Sequence, residues 1–285
     1  MNVYAIEPHG FCWGVKTAVD KANRALAELP TPVYCLHALV HNALVVSELE
    51  KKGMVFVDSL DDVPNGAPVL FSAHGVAPSV RNAAEAKSLR ILDATCPFVA
   101  RAHRRLRDFA ERGVPAVVVG HSDHAEVLGL VGEMQGAECR VIRGAEDVEA
   151  LPFDPSGPVG VVCQTTLSGE AVDSAIDALR RRFPLLETSA AADICTATRD
   201  RQAAVRTFVR NGGDGVLVLG APTSSNTRGL AEIAESEGAH AWRAGTEEEL
   251  ASCSFYGVKR LGVTAGASTP EEFFAATIAR LSLKD

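Results

Sequence analysis

Three cysteines, Cys12, Cys96 and Cys195, each close an extended segment and open a helical one. The helices begin Trp13-Gly14-Val15, Pro97-Phe98-Val99 and Thr196-Ala197-Thr198. Pro97 is well placed there, because the N–H it lacks would have no helical partner anyway. A thiol at a helix N-terminus feels the positive end of the helix dipole, which favours the thiolate, the form that binds iron and zinc. Separations of 84 and 99 residues suit a site assembled by tertiary structure, not a local zinc finger with its paired short spacings. Three thiolates leave one metal position without a protein sulfur, and a four-iron cluster held this way keeps one iron open. From the residues alone, metal ligation and inert burial remain equally open for these three. Cys35, Cys139, Cys163 and Cys253 read instead as structural. Cys35 and Cys163 lie within apolar runs, where cysteine is commonly a small buried hydrophobe.

A polar landmark follows each cysteine at nearly constant distance: His41 is 29 residues beyond Cys12, His124 is 28 beyond Cys96, and Ser224 is 29 beyond Cys195. A small polar turn then ends a further apolar run in each copy, at Ser72-Ala73-His74-Gly75, Gln164-Thr165-Thr166-Leu167-Ser168 and Ala265-Gly266-Ala267-Ser268. Together these segments hold His41, His74, His124, Ser224, Ser225, Asn226 and Ser268. They offer many N–H and O–H donors and little negative charge, as a diphosphate requires. N-caps and ordinary turns explain the Ser/Asn cluster equally well. Glu126, two residues after His124, could pass a proton to a leaving hydroxyl if it stood beside Thr165 or Thr166. Taken alone it reads as a solvated helix residue. His9, His37, His103, His121 and Asp123 receive no role.

The elements that must position these residues alternate between strand and helix. Strands are expected at Val33–Leu36, Met54–Val57, Pro68–Ser72, Ile91–Ala94, Ala116–Gly120, Gly160–Cys163, Gly215–Gly220 and Leu261–Thr264. Helices are expected at Val15–Leu29, Val99–Arg112, Val172–Arg182, Arg199–Arg210 and Leu230–Ser236. Such alternation implies α/β layers with mainly parallel strands. The repeated landmarks point to three α/β units, divided at 14–96, 97–193 and 194–285 with 1–13. An ordinary doubly wound sheet is the competing arrangement.

The chain of 285 residues is 47% hydrophobic and 22% charged, the balance of a globular protein with a sizeable core. Its net charge of −8, from 36 acidic and 28 basic residues, argues against a nucleic-acid partner. The densest basic stretch, Arg101 to Arg107, has the spacing of a wet helix face. No signal peptide and no membrane-spanning apolar run is evident, and seven scattered cysteines do not suggest a disulfide framework. A cytoplasmic location is expected.

Several segments, in order, resemble the LytB family of 4-hydroxy-3-methylbut-2-enyl diphosphate reductases, the last enzymes of the methylerythritol phosphate route to isoprenoids. They are Gly10-Phe11-Cys12-Trp13-Gly14-Val15, Val40-His41-Asn42, Phe71-Ser72-Ala73-His74-Gly75-Val76, Asp93-Ala94-Thr95-Cys96-Pro97, His124-Ala125-Glu126-Val127, Gln164-Thr165-Thr166-Leu167-Ser168, Ser224-Ser225-Asn226 and Thr264-Ala265-Gly266-Ala267-Ser268. The resemblance implies a trefoil of three pseudo-threefold-related α/β domains around a central [4Fe-4S] cluster, with Cys12, Cys96 and Cys195 as ligands and one iron open. It further implies that His41, His74, His124, Ser224, Ser225, Asn226 and Ser268 bind the substrate diphosphate. Glu126, Thr165 and His124 would be catalytic, with Glu126 serving the proton relay. Electrons would come from ferredoxin or flavodoxin, since no flavin or nicotinamide fingerprint is present. Ala38, Ala221-Pro222-Thr223, Thr198-Arg199-Asp200, Leu128 and Leu130-Val131 depart from the family pattern. They leave open a homologue acting on another allylic or phosphorylated substrate, or a non-catalytic cluster-binding sensor.

Overall fold

The structure, a computed structural model, describes residues 1–188 and 194–283. Its described strands are β1 (Asn2–Ala5), β2 (Val33–Leu36), β3 (Met54–Val57), β4 (Pro68–Phe71), β5 (Arg90–Asp93), β6 (Ala116–Val119), β7 (Cys139–Ile142), β8 (Val159–Cys163), β9 (Leu186–Thr188), β10 (Gly215–Leu219), β11 (His240–Ala244) and β12 (Arg260–Ala265). The helices are α1 (Trp13–Glu28), α2 (Ala43–Lys51), α3 (Pro78–Ala86), α4 (Pro97–Glu111), α5 (Ala125–Gly132), α6 (Gly169–Arg182), α7 (Thr196–Arg210), α8 (Ser225–Ser236), α9 (Glu247–Ser252) and α10 (Glu271–Ser282).

The strands form three parallel four-stranded sheets, ordered β3-β2-β4-β5, β7-β6-β8-β9 and β1-β12-β10-β11. Numbered along the chain from β2, β6 and β10, all three share the order second–first–third–fourth. In the last sheet the fourth place is taken by β1, from the N-terminus. The expected α/β class holds, as one topology used three times. The chain divides into two compact units. One comprises Met1–Lys16, Val40–Leu49 and Thr196–Asp285, and the other Thr17–Leu39 and Glu50–Cys195.

Parallel sheets covered on both faces need apolar residues at consecutive positions of their inner strands. In β6 the side chains of Val117 and Val119 join Val161, Ile176 and Leu179 on one face. Those of Ala116 and Val118 join Val162, Leu106 and Leu130 on the other. β10 does the same, with Val216 and Val218 against Leu230 and Val205, and Leu217 and Leu219 against Val263 and Phe274.

Apolar runs therefore locate the inner strands well. β1, β7, β9 and β11, absent from the expected strands, are edge strands with mixed exposure and no continuous apolar run. The five expected helices each begin two to five residues earlier than their apolar periodicity indicates. Three of them start where the cysteine motifs place them, at Trp13, Pro97 and Thr196. The starts precede the apolar stripe because the leading N–H groups are met by capping acceptors and not by core packing. Ser168 supplies one for α6 and Ser224 one for α8.

Candidate active site

In an open parallel sheet, ligands bind beyond the carboxyl ends of the strands, where neighbouring connections diverge. Each sheet here diverges between its first and third strands. The segments that leave those six strand ends carry His41 and His74, His124 and Thr165, and Ser224 and Ser268. The cysteines occupy the third kind of position in chain order: Cys12 comes after β1, Cys96 after β5 and Cys195 after β9, the fourth strand of each sheet.

Within the unit containing residues 50–195, β6 and β8 are adjacent, with Val119 beside Cys163. That pairing brings α5 against the Thr165 turn. Glu126, 1% exposed, accepts hydrogen bonds from the Thr165 backbone N–H (2.8 Å, Oε1) and from Thr165 Oγ1 (3.0 Å, Oε2). The expectation that Glu126 alone reads as solvated is corrected: the strand register buries it against a partner 39 residues away in sequence. His124 caps α5, its Nδ1 accepting from the Glu126 N–H at 3.1 Å. That bond commits Nδ1 as acceptor, so a neutral His124 carries its proton on Nε2.

His74 meets His124 edge to face, with ring centroids 5.5 Å apart. Ser72 holds the His74 turn, with Oγ 3.3 Å from His74 Nδ1. The Cys96 N–H donates to the Ala73 carbonyl at 3.0 Å, and the Cys195 N–H donates to the Thr165 carbonyl at 3.1 Å. The residues expected at His74, Cys96, His124, Glu126, Thr165 and Cys195 thus lie in linked turns. Gln164, to which the sequence reading assigns no role, is fully buried and connects two of them. Its Oε1 accepts from the His121 N–H and its Nε2 donates to Thr166 Oγ1. A glutamine at a strand end gives no periodic signal.

The other unit links its expected residues in the same way. The Cys12 N–H donates to the Ala267 carbonyl, and the Ala267 N–H donates to Asn226 Oδ1 at 2.9 Å. Ser268 Oγ donates to the His41 carbonyl at 3.1 Å. Ser224 caps α8 by accepting from the Thr227 N–H, and Ser224, Ser225 and Asn226 are all buried. Burial pushes the His41 imidazole down from its ordinary value, favouring the neutral ring. Arg201, buried, donates to the Gly10 carbonyl at 2.7 Å and to the Ala197 carbonyl, tying the Cys12 loop to the first turn of α7.

No disulfide joins the cysteines among the described residues. Cys12, Cys96 and Cys195 are half-buried at helix starts, and the Val15 N–H points at Cys12 Sγ from 3.4 Å. Cys35 is the contrasting case. Fully buried in β2, its thiol is pushed up to about 12 by burial, and that of Cys139 to about 11. Those two sulfurs are held as thiols.

A family model described as LytB protein matches residues 3–282. The chain is 42% identical to 4-hydroxy-3-methylbut-2-enyl diphosphate reductase 2 of Burkholderia mallei, over 98% of this chain and 85% of that protein. It is 41% identical to the reductase of the same name from Acinetobacter baylyi, over 99% and 90%. The chain belongs to the LytB family. Among solved structures, the E-1-hydroxy-2-methyl-but-2-enyl-4-diphosphate reductase of Plasmodium falciparum superposes with a TM-score of 0.94 at 31% identity, covering 99% of this chain and 88% of that one. A second solved relative, the (E)-4-hydroxy-3-methyl-but-2-enyl diphosphate reductase described as the terminal enzyme of the non-mevalonate pathway, gives a TM-score of 0.69 at 31% identity with complete coverage of both chains. LytB membership therefore spans essentially the whole chain, and both units fall inside it.

Proposed function

We propose that this chain is a 4-hydroxy-3-methylbut-2-enyl diphosphate reductase, removing the allylic hydroxyl of its substrate with two electrons and two protons to release water. The products are isopentenyl and dimethylallyl diphosphate. The single observation that carries the reading is the buried pair of Glu126, in the first turn of α5, and Thr165, in the turn after β8. A carboxyl group and a hydroxyl joined in that way make a proton path from an acid to a leaving oxygen.

Cys12, Cys96 and Cys195 are the residues that would hold a [4Fe-4S] cluster with one open iron. Their chemistry fits: soft sulfurs at helix starts, partly exposed and outside disulfides, unlike the buried thiol of Cys35. When bound, the cluster would pass on, one at a time, the two electrons delivered by the external donor, and its open iron would act as a Lewis acid toward the substrate hydroxyl. The protein's own residues do the rest. His41, His74, His124, Ser224, Ser225, Asn226 and Ser268 donate to the diphosphate and hold the allyl group in place. His124, with Nδ1 committed to the α5 backbone, presents Nε2–H as one such donor. Protonated Glu126 passes its proton to Thr165 Oγ1, whose own hydroxyl proton goes to the departing oxygen.

Boundaries at 14–96, 97–193 and 194–285 with 1–13 follow from assigning one four-stranded sheet to each domain. No described helix is long and apolar enough to cross a membrane, and a cytoplasmic site of action accords with dependence on thiolates. Ferredoxin or flavodoxin is the electron donor in this reading.

The test is Glu126→Gln beside Thr165→Val, in protein purified without oxygen. Each variant is expected to keep the brown chromophore and bind inorganic diphosphate. Turnover of the substrate with dithionite and a mediator dye should fall by about 10²-fold or more. Wild-type rates in the glutamine variant would refute the assignment.

A further inference from the structure

His103 receives no role from the sequence, yet it lies against the backs of two site segments. It lies on α4, the helix that Cys96 opens, and is 6% exposed. Its Nδ1 is 2.8 Å from Glu133 Oε1, and Glu133, 2% exposed, accepts two further bonds from the Arg107 guanidinium at 3.0 and 3.1 Å. Burial pushes the Glu133 carboxyl up, but the hydrogen bonds from His103 and Arg107 outweigh it and hold it below the ordinary carboxylate range. The imidazole plane is therefore clamped on one edge.

The opposite edge faces two glycines. A Cβ built on Gly75 would stand 2.7 Å from His103 Nε2, and one on Gly129 would stand 3.2 Å from Cε1. Gly75 follows His74 directly and has φ +75°, a backbone conformation other residues adopt only with strain. Gly129 lies three residues beyond Glu126, on the same side of α5. The flat ring thus fills the gap between the His74 turn and the helix of His124 and Glu126. If packing were the whole purpose, an apolar residue would fill the space without the need to bury a carboxylate behind it, and a buried charge is costly unless it is hydrogen-bonded.

We propose that His103, clamped by Glu133 and Arg107, is a positioning residue that sets the separation between His74 and His124. It rests on the reading that these two histidines bind the diphosphate. It acts through the backbones of Gly75 and Gly129 and touches no substrate.

The experiment compares wild type, His103→Ala, Glu133→Gln and, as a control, His74→Ala, all with reconstituted cluster. Affinity for inorganic diphosphate, KM and kcat for the allylic diphosphate, and Tm are measured well below the lowest Tm. His103→Ala is expected to weaken diphosphate binding and raise KM together by roughly tenfold, with a smaller fall in kcat, because displaced donors lose binding before chemistry. Glu133→Gln keeps the ring but loosens the clamp, and is expected to move both constants in the same direction by less. It carries the test alone if His103→Ala does not fold. A purely structural role would lower Tm and leave affinity and KM at wild-type values in both folded variants, which would overturn the proposal. If His74→Ala also binds diphosphate like wild type, the reading of the histidine site fails, and this proposal fails with it.

Discussion

At the scale of single residues, the seven cysteines separate into two chemical groups. Cys35 in β2 is walled in by apolar neighbours, and its thiol is pushed up to about 12. In the unfolded chain the same thiol loses its proton near 9.0. Below that pH both states keep the proton, and the thiol leaves stability unchanged. Above it the unfolded chain releases a proton that the folded chain retains, so stability falls with rising pH until about 12. Denaturant midpoints of wild type and Cys35→Ala should therefore diverge between pH 8 and 10, the wild type losing about 1 kcal/mol more by pH 10. Parallel curves would contradict the burial argument. The complementary measurement is brief alkylation of cluster-free protein at neutral pH, read by mass spectrometry. Cys12, Cys96 and Cys195 should label first, Cys35 and Cys163 should not, and prior loading with iron and sulfide should protect the first three. Labelling of Cys12, Cys96 and Cys195 that is indifferent to loading would remove them as ligands.

At the scale of elements, the site is a set of helix starts and turns held at strand ends. The helix α5 shows how closely they must approach. A Cβ on Gly132 would lie 2.3 Å from Ala77 Cβ and 3.2 Å from Ala77 Cα, next to the Pro78 that opens α3. Alanine is the better helix former by about 1 kcal/mol. Here the clash is partly with backbone, which cannot rotate aside, and overpacking of this kind costs about 1–3 kcal/mol. Gly132→Ala should therefore lower Tm despite its helix propensity, and calorimetry decides which effect wins. Asp93 makes a similar point beside Cys96. Burial pushes its carboxyl up, but hydrogen bonds from the Thr95 hydroxyl and backbone and from Arg81 hold it below the ordinary range, so a charged carboxylate shapes the turn before the cysteine.

At the scale of the whole molecule, a cluster ligated from three widely separated cysteines should stabilise the folded chain by mass action, since the unfolded chain cannot assemble the site. Chelation of iron under anaerobic conditions is expected to lower the Tm of wild type, while Cys96→Ser should be low already and insensitive to the chelator. Equal Tm values with and without iron would oppose the three-cysteine assignment.

Much of this was legible in the residues alone. Inner strands such as β6, β8 and β10 are continuous apolar runs because both faces are covered, so local composition suffices to find them. The cysteines and their trailing landmarks were visible because one topology recurs three times with nearly constant connection lengths. Edge strands β1, β7, β9 and β11 escaped notice because partial exposure relaxes the demand for apolar residues. Glu126 and His103 could not be assigned from spacing, since each is defined by a partner about thirty or more residues away: Thr165 for the one, Glu133 for the other. Local sequence records what a residue needs from its own strand or helix. Which distant turn it meets depends on sheet register and helix packing, so the burial of the acid and the wedge between two glycines were decided only by the tertiary structure.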